Sequence, residues 1–151
     1  MYTSVIHTPI GALTICSNGA AVTALRFGIY REEDGRDLPV HQACQQQLEE
    51  YFMGRRKAFD LPLAPEGTPF QQEVWALLRT IPYGSTLSYG QVAAALGRPR
   101  AARAVGLANN RNPIPIIIPC HRVVGSSGKL VGYAGGLPIK ETLLELEARH
   151  P

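Results

Sequence analysis

The sequence predicts an α+β protein. A small N-terminal α/β domain with a short antiparallel sheet is expected over residues 1–65. A helical, winged-helix-like domain of helix-turn-helix type is expected over residues 66–151. Three observations carry this prediction. Short alternating or apolar runs separated by turn residues fill the stretch from Tyr2 to Phe27. Beyond Gly67, Thr68-Pro69-Phe70-Gln71 and Ser88-Tyr89-Gly90-Gln91 each read as a capping box opening an apolar helical face. Gly97-Arg98-Pro99 then joins two short helical segments.

The elements follow in order. Tyr2–His7, Ala12–Cys16 and Ala21–Phe27 read as strands, with turns at Thr8-Pro9-Ile10-Gly11 and Asn18-Gly19. Tyr30–Leu38, with Glu32, Glu33 and Asp34, reads as a loop. Val40–Phe52 places Ala43, Leu48, Tyr51 and Phe52 at roughly helical spacing, and Gly54 stops that helix. Phe59–Leu63 is a further candidate strand, and Ala64-Pro65-Glu66-Gly67 a linker. In the second half, Phe70, Val74, Leu77 and Leu78 share one helix face, as do Tyr89, Val92 and Leu96. A third helix runs from Arg100 to about Asn109, and a last one from about Leu137 to Arg149. Gly125-Ser126-Ser127-Gly128 reads as the tip of a hairpin that could form a wing.

At 151 residues, 45% hydrophobic and 18% charged, the chain can bury a stable core, which excludes a disordered segment. No apolar run approaches membrane length and the N-terminus has no signal-peptide pattern. A soluble cytoplasmic protein with no membrane association is expected. Three widely spaced cysteines argue against a disulfide framework. His7, Cys16, His41 and Cys44 match no zinc spacing, so neither a metal nor another cofactor is expected.

The net charge of +3 is unevenly spread. From Arg79 to Lys140 there are eight cations and no carboxylate. A solvated surface normally mixes signs, so this span suggests a polyanion, with a phosphate backbone the leading candidate. The third helix adds to this. Ala101, Ala102, Ala104, Gly106 and Ala108 leave it nearly bare, with Arg103 its only interior charge. Such a helix can approach a nucleic-acid backbone closely while one guanidinium reaches beyond it. A tightly packed core helix would have the same composition.

The most informative stretch is Ile116-Ile117-Ile118-Pro119-Cys120-His121-Arg122-Val123-Val124. Three β-branched residues read as a buried strand that Pro119 must stop. A cysteine at that rigid end, beside an imidazole and a cation, can be a tuned nucleophile. A core cysteine at a strand end is the other reading. Glu147, on the last helix, reads locally as exposed, and Tyr133 as ordinary packing in a glycine-rich loop.

Asn112-Pro113-Ile114-Pro115 running into Ile118-Pro119-Cys120-His121-Arg122-Val123-Val124, then Gly132-Tyr133-Ala134-Gly135-Gly136, resembles the O6-alkylguanine-DNA alkyltransferases, the methylated-DNA–protein-cysteine methyltransferases. The resemblance is strongest from Thr68 to Glu147 and extends more loosely upstream. It implies the two-domain fold already read from the pattern, a duplex DNA partner carrying alkylated guanine, a monomer and no cofactor. It also implies roles by position. Cys120 would accept the alkyl group, with His121, through a water, and Glu147 as the proton relay and Asn112 bracing the turn. Tyr89 would donate to the departing guanine. Val123, Tyr133 and Ala134 would line the alkylguanine pocket. Arg103 would enter the base stack, with Ala102, Ala104, Gly106, Arg98 and Ser126 against the DNA. Alkylthymine is a further candidate substrate.

The implied chemistry is coherent. A soft nucleophile suits an alkyl carbon, and an ordinary thiol is only roughly 3% ionised at pH 7. The lesion must leave the duplex, at about a few kcal/mol. The thioether formed has no route back, so each molecule reacts once. Three other readings predict different behaviour. A lesion-binding relative would lack Cys120, a helix-turn-helix regulator leaves the cysteine without a role, and a cysteine hydrolase would turn over.

Overall fold

The computed structural model describes residues 1–133 and 135–151. The chain divides into two compact units, Met1–Glu66 and Gly67–Arg149. Among the described residues no helix is long and apolar enough to cross a membrane.

In the first unit, β1 (Tyr2–Thr8), β2 (Gly11–Ser17), β3 (Val22–Phe27) and β4 (Glu33–Asp34) form one sheet in the order β3-β2-β1-β4. The first three strands pair antiparallel in sequence order. Thr8 makes the β1–β2 turn: its Oγ1 accepts from the Ile10 amide (3.2 Å) and donates to the Gly11 carbonyl (2.8 Å). Gly11 takes φ +105°, a region that disfavours any side chain. Leu13 to Ser17 are buried without a break, so the period-two alternation vanishes in this central strand. Across the sheet lies α1 (Pro39–Phe52), which buries Val40, Cys44, Leu48 and Tyr51 at helical spacing.

Two details depart from the sequence reading. Glu33 and Asp34, expected in a loop, pair in parallel with Tyr2 and Thr3. Phe59–Leu63 makes only a single bridge, Leu63 to Val22. Pro62 removes a donor from the middle of that run, so a continuous ladder cannot form. Both His41 ring nitrogens have hydroxyl partners: Ser4 Oγ lies 2.6 Å from Nδ1 and Ser17 Oγ 2.7 Å from Nε2.

The second unit holds α2 (Pro69–Leu78), β5 (Leu87–Ser88), α3 (Tyr89–Ala95), α4 (Ala102–Asn110), a 3-10 turn (Cys120–Arg122), β6 (Val123–Val124) and α5 (Leu137–Arg149). Both capping boxes form. The Thr68 and Ser88 hydroxyls accept from the Gln71 and Gln91 amides, while each Gln side chain accepts from its cap residue's amide. Trp75 locks α2 to α4. It is buried, and its indole N–H donates to the Ala108 carbonyl at 2.9 Å. Between α3 and α4, Gly97 takes φ +74° and the Arg98 amide donates to the Ala93 carbonyl, closing the tight turn of the helix-turn-helix.

The expected buried strand before Cys120 does not exist. Ile114, Ile116, Ile117 and Ile118 are buried, but in a turn. Asn112 stitches it: its Nδ2 donates to the Ile118 carbonyl (2.8 Å) and its Oδ1 accepts from the Ile114 amide (3.0 Å). The Ile118 amide returns to the Ile114 carbonyl at 2.9 Å. Ile116 sits at φ +74°, a costly conformation for a β-branched residue, so its surroundings must hold it there. Pro113, Pro115 and Pro119 forbid a regular ladder, and a β-branched run can satisfy its burial without one. The expected hairpin wing is likewise reduced to a loop. Gly125 donates to the Lys129 carbonyl at 2.7 Å, and β6 pairs in parallel with β5.

Candidate active site

Cys120 opens the 3-10 turn that leads from the braced loop into β6, and it is only 4% exposed. Burial pushes its thiol up to about 11, against a hydrogen bond from the Asn112 side chain and the nearby Lys140 charge, which pull it down. At pH 7 roughly one sulfur in ten thousand is then ionised. Burial thus outweighs these neighbours and keeps the resting cysteine a protonated thiol.

His121 and Glu147 meet behind it. His121 Nε2 lies 2.6 Å from Glu147 Oε2, and both side chains are essentially unexposed. Glu147 is not the solvent-facing residue that local helix periodicity suggested. Its Oε1 also accepts from Arg122 Nε (2.9 Å) and the Gly84 amide (3.2 Å), and its Oε2 from Arg122 Nη2 (3.0 Å). Burial alone would raise this carboxyl, but hydrogen bonds from His121 and Arg122, with the Arg122 charge, hold it at about 2. An ionised carboxylate only accepts, so the proton on the shared bond sits on Nε2. Burial lowers the His121 imidazole below its ordinary value, which leaves it neutral with Nδ1 bare. Arg122 completes the cluster with a 2.7 Å bond to the Ile81 carbonyl.

Two of the eight cations read as a polyanion-binding face are thus interior. Arg122 is ion-paired to Glu147. Lys140 is fully buried and donates to the carbonyls of Val123 (2.6 Å), Val131 (2.8 Å) and Gly132 (3.2 Å). Lys140 was missed in the sequence reading. One signal was available: it lies in the first turn of α5, where the helix dipole disfavours a cation unless other groups hold it. It ties the loop carrying Tyr133 to the end of the cysteine turn and places a positive charge near the sulfur.

The remaining expected residues fall in two groups. Tyr89 is half-buried, its hydroxyl donates to the Val131 carbonyl at 2.9 Å, and burial, then Cys120, raises its pKa. Burial, then Cys120, raises Tyr133 well above its ordinary value. Val123 is buried, and its carbonyl is taken by Lys140. Ala134 lies outside the described residues. On α4, Arg103 and Ala104 are exposed and Ala102 is half-buried. Gly106 faces the Tyr89 ring, which a Cβ there would meet at 3.8 Å. Ser126 is exposed at the loop tip. Arg98 is exposed but engaged with Glu73 (3.2 Å) and the Phe70 ring (5.3 Å).

These features define a class: an α+β protein whose helix-turn-helix unit holds a buried cysteine followed directly by a histidine–arginine–glutamate cluster. Family models agree with the geometry. Residues 69–149 match the 6-O-methylguanine DNA methyltransferase DNA-binding domain, and residues 1–65 match the ribonuclease-like domain of the same proteins. A methylated-DNA–protein-cysteine methyltransferase of Methanosarcina barkeri is 53% identical, covering 97% of each chain. That of Mycobacterium tuberculosis is 51% identical over 94% of this chain and 89% of its own. The crystal structure of the M. tuberculosis protein OGT in complex with DNA superposes with a TM-score of 0.92 at 47% identity, covering 99% of this chain and 94% of that one. The chain belongs to the 6-O-methylguanine DNA methyltransferase family.

Proposed function

We propose that this protein repairs DNA by direct reversal. It moves a methyl or other alkyl group from O6 of guanine in duplex DNA onto Cys120, once per molecule and irreversibly. The observation that carries this reading is the buried cysteine with His121 and Glu147 behind it, on the unit that bears the helix-turn-helix. DNA is the partner, in agreement with the matched DNA-binding domain. Residues 66–151 supply binding and chemistry. The protein works as a cytoplasmic monomer.

In the proposed step, His121 Nδ1 takes the thiol proton through a water, and Glu147 balances the imidazolium that results. Sulfur attacks the alkyl carbon, the C–O bond breaks toward guanine, and Tyr89 supplies a proton to the departing base. Asn112 keeps the cysteine turn in register. Val123, Tyr133 and Ala134 enclose the flipped base. Ala102, Ala104, Gly106, Arg98 and Ser126 lie along the DNA. Arg103 fills the gap left in the stack and offsets the cost of flipping.

Duplex DNA with methyl-labelled O6-methylguanine tests the reading. Label should appear on Cys120 in a burst ending at one equivalent. Continued turnover would point to a hydrolase, and binding without transfer to a lesion binder. Arg103→Ala should slow single-turnover repair by about 10- to 100-fold, because about a few kcal/mol of flipping cost loses its compensation. Repair at an unchanged rate would remove Arg103 from that role.

A further inference from the structure

Two buried polar atoms have no hydrogen-bond partner among the described residues, one on the residue after Cys120 and one on the residue that holds the Cys120 carbonyl: His121 Nδ1 and Asn109 Oδ1. Asn109 belongs to α4, is 2% exposed, and donates from Nδ2 to the Cys120 carbonyl at 3.3 Å. A carbonyl can only accept, so the orientation of this amide is fixed and Oδ1 must be its free end. His121 Nδ1 is also an acceptor, because Nε2 carries the proton shared with Glu147. Two acceptors cannot satisfy each other, and leaving both unmade would cost about 1–3 kcal/mol apiece. A single water has two hydrogens to give and a lone pair left over.

We propose that Asn109 is a positioning residue for alkyl transfer: its Oδ1 holds one hydrogen of a buried water whose other hydrogen goes to His121 Nδ1, turning the water's lone pair to the Cys120 thiol. The inference rests on Cys120 being the alkyl acceptor. The proton count closes. The thiol proton passes to the water oxygen as a water proton passes to Nδ1, and sulfur keeps the bonding pair with which it attacks carbon. The imidazolium formed faces the Glu147 carboxylate, and the water is regenerated. Each of the two acceptors exposes less than 1 Å². An enclosed water suits them better than the edge of an incoming base. Asn112 serves a different purpose: its amide stitches the Ile114–Ile118 turn and hydrogen-bonds the Cys120 sulfur, while its Oδ1 is taken by the Ile114 amide.

The charged and titratable groups around the sulfur are Lys140 from α5, Tyr89 from α3, Tyr133 from its loop, and His121 with its Glu147 and Arg122 partners. Asn109→Leu leaves all of them in place. The test compares this variant with the unaltered protein from pH 6 to 10, by single-turnover transfer from methylated duplex and by iodoacetamide modification of Cys120 without DNA. The variant should be about tenfold slower at pH 7 in both assays, the fold-change for about 1.4 kcal/mol. The gap should narrow as rising pH ionises the thiol unaided, and DNA affinity should not change. An equal deficit at every pH, or one seen only with DNA, overturns the role in favour of packing or base reading. Failure of the unaltered protein to transfer would instead defeat the function proposed above, while the iodoacetamide profiles still decide the role of Asn109. Thermal melting checks the fold. Should Asn109→Leu not fold, Asn109→Met, unbranched and of similar reach, takes its place.

Discussion

Cys120→Ala is expected to leave no methyl on the protein after incubation with methylated duplex, while DNA affinity stays within about twofold. The substitution removes the sulfur proposed to accept carbon. It disturbs little else, because the turn around Cys120 is held by backbone and Asn112 bonds that alanine retains. The exposed cations Arg100, Arg103 and Arg111 are untouched. Mass spectrometry of the reacted protein, with fluorescence anisotropy for binding, checks both halves. Methyl recovered on Cys16 or Cys44 of the variant would move the acceptor elsewhere. Both are buried in the first unit, and burial pushes Cys44 up to about 12.

Glu147→Gln is expected to have the largest effect on stability. The carboxylate faces Arg122 and His121 in a site with almost no solvent. Neutralising it strands a buried guanidinium, which costs about 3–5 kcal/mol. Transfer should also slow, since no carboxylate remains to balance the His121 imidazolium. Urea melts at pH 7 measure the first effect and single-turnover rates the second. The acid behaviour gives an independent check. Glu147 is held at about 2 against an ordinary 4.5, so the folded state binds its proton less readily than the unfolded one. That preference contributes fully above pH 4.5 and is lost as pH falls from there toward 2, by about 3 kcal/mol. The unaltered protein should lose this stability across that window, and Glu147→Gln should not. Parallel acid curves for the two proteins would contradict the assignment.

The parts of the fold that were readable rest on local signals. Thr68 with Gln71, and Ser88 with Gln91, announce helix starts within four residues, and each cap forms. Gly11 and Gly97 stand where only a turn suits them. Ile116-Ile117-Ile118 misled because β-branching reports burial and stiffness, not ladder pairing. The proline spacing and the Asn112 side chain decided for a turn. Glu147 misled for another reason. The helix periodicity around it is blind to partners 25 and 26 positions earlier, Arg122 and His121. Lys140 and Asn109 escaped notice likewise, since what they do depends on carbonyls brought near only by folding. The Cys120-His121 pair drew notice because a thiol and an imidazole stand at adjacent positions.

The high resting pKa of Cys120 has a consequence for how such a reagent keeps in a cell. A molecule that can be spent only once must not be spent on peroxide, on a stray disulfide or on a free electrophile, all of which attack thiolates. Burial that keeps the sulfur protonated would slow all three reactions. A thiol so held should react slowly with such agents while no DNA is bound.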